Sequence, residues 1–112
     1  MKRRKYGNVK VVVDGIKFDS NKEAARYKEL QLLERAGEIK DLELQPKFYL
    51  QGKNGQITYP NGRRACYTGD FRYVTKAGVH IIEDVKSPAS KTQVYNLRKA
   101  ILANMGILIH EV

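Results

Sequence analysis

The sequence predicts a mixed α/β fold, an α-β-β-β-α-β core behind an N-terminal β-hairpin. Three observations lead there. Two segments, about residues 20–36 and 92–104, carry helix signals. The stretches around them read with a period of two and are broken by glycine-rich turns. A two-residue Asp14-Gly15 turn also joins short alternating apolar runs near the start.

Each element has a local reason. From Val9 to Phe18 the apolar residues Val9, Val11 and Val13 alternate, Asp14-Gly15 turns the chain, and Ile16 and Phe18 resume the apolar face. Ser20 opens the first helix, with Glu23 at the capping-box position, and Gly37 stops it after about Ala36. From Ile39 a long strand puts Leu42, Leu44, Pro46, Phe48 and Leu50 on one face, and Glu43, Gln45, Lys47 and Tyr49 on the other. Turns follow at Gly52-Lys53-Asn54-Gly55 and Pro60-Asn61-Gly62. A strand around Arg64–Val74 carries Asp70, and Lys76-Ala77-Gly78 turns into a strand ending Asp84-Val85-Lys86. Ser87-Pro88-Ala89-Ser90 is a loop. The second helix carries Val94, Leu97, Ile101 and Met105 at helical spacing, Gly106 ends it, and Ile107–Val112 is a last strand. Residues 1–8 read as a flexible basic arm and 9–112 as one domain, as expected for a chain of 112 residues.

Charge narrows the function classes. Twenty-one lysines and arginines against twelve acids give a formal net charge of +9, and such an excess favours a polyanionic partner, above all nucleic acid. The sole cysteine, Cys66, and two histidines, His80 and His110, exclude an intrachain disulfide and a Cys/His zinc site. A metal here is therefore a hard one held by oxygen, Mg²⁺ or Mn²⁺. The basic start is followed only by Val11-Val12-Val13, too short for a signal peptide or a membrane span. The expectation is an intracellular, cytoplasmic protein with no membrane partner.

Asp70 and Asp84-Val85-Lys86 carry the chemistry. Alternation along a strand points Asp84 and Lys86 the same way and Val85 into the protein; if the two strands pair, Asp70 reaches that face. One or two carboxylates suffice to hold a hydrated Mg²⁺ beside substrate phosphate oxygens, and the Val85 carbonyl offers a further oxygen. A nearby lysine stabilises developing negative charge or orients the attacking water. An Asp-x-Lys triplet is common, and a simple ion pair explains a lone one. An acid inside the preceding strand is less ordinary, because strands disfavour acids unless something needs them. Glu23 shares a helical stripe with Tyr27 and Leu30, so it faces the sheet as well as capping the helix. Glu83 points away from Asp84 and reads as structural, and His80 lies far along the strand. The arm residues Lys2, Arg3, Arg4 and Lys5, together with Arg63, Arg64, Lys91, Arg98 and Lys99, are candidate DNA contacts.

Asp70 … Asp84-Val85-Lys86 on an α-β-β-β-α-β order resembles the PD-(D/E)xK nuclease superfamily, whose fold is restriction-endonuclease-like. Phe18-Asp19-Ser20-Asn21-Lys22-Glu23-Ala24-Ala25-Arg26-Tyr27 and Leu44-Gln45-Pro46-Lys47-Phe48 are similar to a family of small phage-encoded members, related to Holliday-junction resolvases and other recombination endonucleases. The resemblance runs from about Tyr6 to Val112. It implies Asp70 and Asp84 as metal ligands, Lys86 as the catalytic lysine, Glu23 as a further ligand or water-positioning group, and Gln45 as a site member. Gly69 stands where the superfamily name has proline. The implied activity is a Mg²⁺- or Mn²⁺-dependent DNA endonuclease that resolves Holliday junctions or other branched DNA. Symmetric cutting of a junction needs two sites, hence a homodimer. Cleavage of linear, flapped or mismatched DNA, or non-catalytic DNA binding, are the alternatives.

Overall fold

A computed structural model describes residues 10–86 and 91–112. The arm residues Lys2, Arg3, Arg4 and Lys5, Val9 and the 87–90 loop lie outside the described residues. The architecture is mixed α+β. β1 (Val11–Val13) and β2 (Ile16–Phe18) form the expected hairpin around Asp14-Gly15, both residues with positive φ (51° and 79°). A turn of this kind requires positive φ, and Asp-Gly supplies it cheaply. Helix α1 spans Asn21–Arg35; the Ser20 hydroxyl caps it by accepting from the Glu23 N–H at 3.1 Å.

Four strands build the central sheet: β3 (Ile39–Leu44), β8 (Phe71–Thr75), β9 (His80–Asp84) and β10 (Ile109–Glu111), in the order β10-β9-β8-β3. β10 runs parallel to β9, and the other pairs are antiparallel. Helix α2 (Gln93–Asn104), capped by the Thr92 hydroxyl, connects the parallel pair. With α1, these strands and α2 follow the predicted α-β-β-β-α-β order.

The expected long strand from Ile39 is broken. It stops at Leu44 and resumes as β4 (Lys47–Tyr49); its partner is likewise split into β7 (Cys66–Thr68) and β8. Both breaks fall on the same rung. Leu44 pairs with Phe71 and Lys47 with Thr68, so the register carries across the gap. In the gap, Gln45 N–H donates to the Asp70 carbonyl and Gly69 N–H to the Pro46 carbonyl, both at 2.9 Å. Gln45 adopts φ +51°, which bends the ribbon. Asp70 thus sits at a bend, not in mid-strand. Two short additions, β5 (Gln51–Gly52) and β6 (Gly55–Gln56), form a hairpin around the predicted turn.

Each sheet face carries a helix. Phe18, Tyr27, Leu30, Phe71 and Tyr73 fill the α1 side; Tyr67, Ile82, Tyr95, Leu102 and Ile109 fill the α2 side. The α2 stripe differs from expectation. Val94 and Leu97 are 56 % and 62 % exposed, while Tyr95 and Leu102 are buried. Ile101 and Met105 pack at the margin of that core. Tyr95 and Leu102 lie two turns apart, so α2 rests on a narrow face.

Candidate functional site

The bend and the end of β9 meet. Asp70 N–H donates to the Glu83 carbonyl (3.0 Å), and one carboxylate oxygen of Asp70, Oδ2, accepts from the Val85 N–H at 2.7 Å. The first acid is therefore clamped onto the middle of the Asp84-Val85-Lys86 triplet. Gly69 has a structural reason to differ from proline. Its N–H is used by Pro46, and proline has none to give. A Cβ there would also sit 3.3 Å from Ile82 Cγ2.

β9 alternates as its sequence implies. Ile81 and Val85 pack on the α1 side and Ile82 on the α2 side. Asp84 and Lys86 open on the α2 side, into a groove of about 710 Å³. Asp84 is buried, and its Oδ2 has no hydrogen-bond partner among the described residues. Lys86 Nζ lies 3.6 Å from it, an ion-pair distance beyond hydrogen-bond reach. Burial pushes the Asp84 carboxyl up to about 6, against the pull of Lys86. Burial also raises Asp70, opposed by the Val85 N–H and by Lys86.

Glu23 faces this cluster. Its backbone N–H makes the cap bond, but its carboxylate makes no return bond to Ser20 N–H among the described residues, so the capping box is half formed. The buried carboxyl is pushed up to about 7, first by burial, then by the charges of Asp70, Asp19 and Asp84. Glu23, Gln45 and Asp70 line a separate cavity of about 160 Å³. The three acids are neighbours but not a preformed cage: no group of three or more His, Cys, Asp or Glu able to hold a metal occurs among the described residues. The donors suit a hard cation all the same. They are carboxylates, one oxygen has no hydrogen-bond donor among the described residues, and Mg²⁺ needs only one or two protein oxygens.

The basic candidates divide. Arg63, Arg64 and Arg98 line the groove with Asp84 and Lys86. Arg64 stacks on the Tyr49 ring at 4.1 Å, and Arg98 Nη2 donates to the Tyr59 hydroxyl at 3.1 Å. Lys91 and Lys99 do not line it; both ammonium groups bind Glu111, at 3.1 and 3.3 Å. His80 is exposed at the far end of β9. Glu83, read as structural from sequence, is buried and held by Arg26 Nε (2.8 Å), Arg26 Nη2 (2.6 Å) and the Tyr73 hydroxyl.

Sequence reading missed three residues. Arg26 lay inside a quoted motif, but nothing local pairs it with Glu83, 57 positions away. Tyr67 borders the groove with a buried hydroxyl that has no partner among the described residues. Tyr95 lies under the Lys86 ammonium, its ring centroid 4.3 Å from Nζ. No helix among the described residues is long and apolar enough to cross a membrane.

Neither the curated proteins nor the solved structures yield a match to this sequence. A family described as "Protein of unknown function (DUF1064)" matches residues 3–105, nearly the whole chain, and the chain belongs to that family.

Proposed function

We propose that this protein is a divalent-metal-dependent DNA endonuclease of the PD-(D/E)xK type, acting on Holliday junctions or other branched DNA. The observation that carries the reading is the clamp of Asp70 on the Val85 N–H, which ties its carboxylate to the middle of the Asp84-Val85-Lys86 triplet, whose Asp84 and Lys86 line the arginine-bearing groove while Asp70 lines the cavity of Glu23 and Gln45. Asp70 and Asp84 would hold Mg²⁺ or Mn²⁺, with the Val85 carbonyl as a further oxygen. The chemistry such a cation supplies is polarisation of a phosphoryl oxygen and acidification of a water. Lys86 stabilises charge that develops on the phosphate, because its amine stands in a partly desolvated site where such contacts are strong. Glu23, with its raised pKa, is suited to hold or pass a proton near Asp70. Gln45 borders the same cavity as a polar neighbour. Arg63, Arg64 and Arg98 seat the phosphodiester backbone. Paired incisions in a junction call for a homodimer.

A second reading is favoured by the 3.6 Å approach of Lys86 to Asp84: a non-catalytic DNA-binding module in which the two groups simply pair. Cleavage assays decide. Four-way junction, flapped, mismatched and linear duplex DNA are incubated with Mg²⁺ or Mn²⁺ and wild type, Asp70→Asn or Lys86→Ala. The endonuclease reading expects wild-type cleavage, junction preferred, and loss with both variants. Cleavage unaffected by either substitution sinks the site. Binding without cleavage, weakening steeply with salt, supports the module. A wild type that stays monomeric on junction DNA removes the resolvase version.

A further inference from the structure

We propose that Tyr95 is a positioning residue for Lys86, its ring fixing the amine beside Asp84 at the floor of the groove. The inference rests on the endonuclease reading of Lys86 and extends it to a residue outside the acid-acid-lysine pattern.

The geometry is specific. Lys86 Nζ lies 4.3 Å from the Tyr95 ring centroid, well within the range of a cation–π contact. Asp84 Oδ2 stands 3.6 Å away, too far for a hydrogen bond. The carboxylate alone therefore does not grip the ammonium, and the ring supplies the second surface. The Lys86 side chain is only 18 % exposed. Ordering a lysine costs rotamer entropy, and partial burial weakens its hydration. A lysine held this way needs a compensating contact, and the ring face provides it.

Tyr95 is itself held. The residue is buried, and its hydroxyl donates to Glu111 Oε2 at 2.6 Å. Glu111 also binds Lys91 and Lys99, and these contacts, Tyr95 first, hold its carboxyl down at about 2. The Tyr67 ring lies 6.3 Å from that of Tyr95. The main chain of Lys86 is tied down too: its N–H donates to the Val112 carbonyl (3.2 Å), and its carbonyl accepts from Lys22 Nζ (2.9 Å). β10 and α2 thus buttress the ring, and the ring restrains the amine. Restraining a catalytic amine before substrate arrives lowers the entropy lost in the transition state, so the effect belongs in kcat.

An ordinary core tyrosine would also be buried and hydrogen-bonded, and the test separates the two roles. The substrate is a fluorescein-labelled four-way junction with Mg²⁺ or Mn²⁺. Wild-type cleavage and its loss in Lys86→Ala establish the underlying reading. Tyr95→Phe keeps the ring face and loses the Glu111 bond; it should melt lower and lose much less kcat than Tyr95→Leu. Tyr95→Leu loses the ring face; its kcat should fall about 3- to 30-fold with KM little changed. Tyr95→Trp should restore the rate. An independent readout needs no variant to fold: in ¹³C-lysine NMR spectra, the Lys86 ε-protons should be shifted upfield by the ring current. A wild-type rate in Tyr95→Leu, an equal loss of kcat in Tyr95→Phe, or unshifted Lys86 ε-protons each overturn the proposal. A wild type that cleaves no DNA overturns the endonuclease reading itself, and this inference falls with it.

Discussion

Replacing Asp84 by asparagine should make the protein more stable at neutral pH while abolishing the proposed DNA cleavage. Asp84 is 3 % exposed, and its Oδ2 has no hydrogen-bond partner among the described residues. Its carboxyl is raised from 3.8 to about 6, chiefly by burial, even with Lys86 pulling the other way. Between those values the unfolded chain has lost the Asp84 proton and the native protein keeps it, so stability falls as pH rises. At about 1.4 kcal/mol per pH unit, ionising Asp84 in place costs about 3 kcal/mol, complete above about pH 6. Asparagine has nearly the same shape and no charge to desolvate. Urea unfolding of wild type and Asp84→Asn from pH 4 to pH 8 measures the difference. The variant's advantage should be near zero at pH 4, grow through pH 5–6, and level off at about 1–3 kcal/mol. Millimolar Mg²⁺ or Mn²⁺ should raise the wild-type melting temperature and leave the variant's unchanged, because a cation that binds only the native state stabilises it. A variant less stable than wild type at pH 7, or a difference that ignores pH, refutes the reasoning.

Three further outcomes are expected. Arg26→Met leaves the Glu83 carboxylate, 2 % exposed, with the Tyr73 hydroxyl as its remaining side-chain partner among the described residues; removing one partner of such a buried pair should cost about 3–5 kcal/mol, read from urea midpoints. Tyr67→Phe deletes a buried hydroxyl that makes no hydrogen bond among the described residues, so thermal melts should show stability unchanged or raised by about 1 kcal/mol. Ser20→Ala removes the acceptor of the Glu23 N–H and should cost about 1 kcal/mol, with helical circular dichroism largely kept below the transition.

Much of the fold was legible because its signals are short-range. Asp14-Gly15 names its own hairpin, Ser20 and Gly37 bracket α1, and Thr92 and Gly106 bracket α2. The reading failed where distant residues choose. A period of two ran through Gln45 and Pro46, yet the chain bends there, where Gln45 adopts φ +51°. Pro46 was the available clue, since proline inside a strand marks an edge or a break. On α2, Val94 and Leu97 are as apolar as a core position demands, but the sheet meets the helix along Tyr95 and Leu102. Lys91 and Lys99 looked like free cations until Glu111 of the last strand came beside them.

The candidate site divides in the same way. Sequence alone determined its chemical inventory: carboxylates in a chain with one cysteine and two histidines, a lysine two places from an acid, an excess of positive charge, and the alternation that separates Asp84 and Lys86 from Glu83 and Val85. Tertiary structure alone decided the assembly. It brought the Asp70 carboxylate onto the Val85 N–H across 15 residues, turned the Glu23 carboxylate toward the other acids, kept Arg63, Arg64 and Arg98 in the groove, and slid the Tyr95 ring under Lys86. The physical reason is range. Caps, turns and alternation depend on neighbours a few residues away, so the chain states them directly. Distances between charges depend on strand register and on how helices seat against the sheet, which only the packed whole determines.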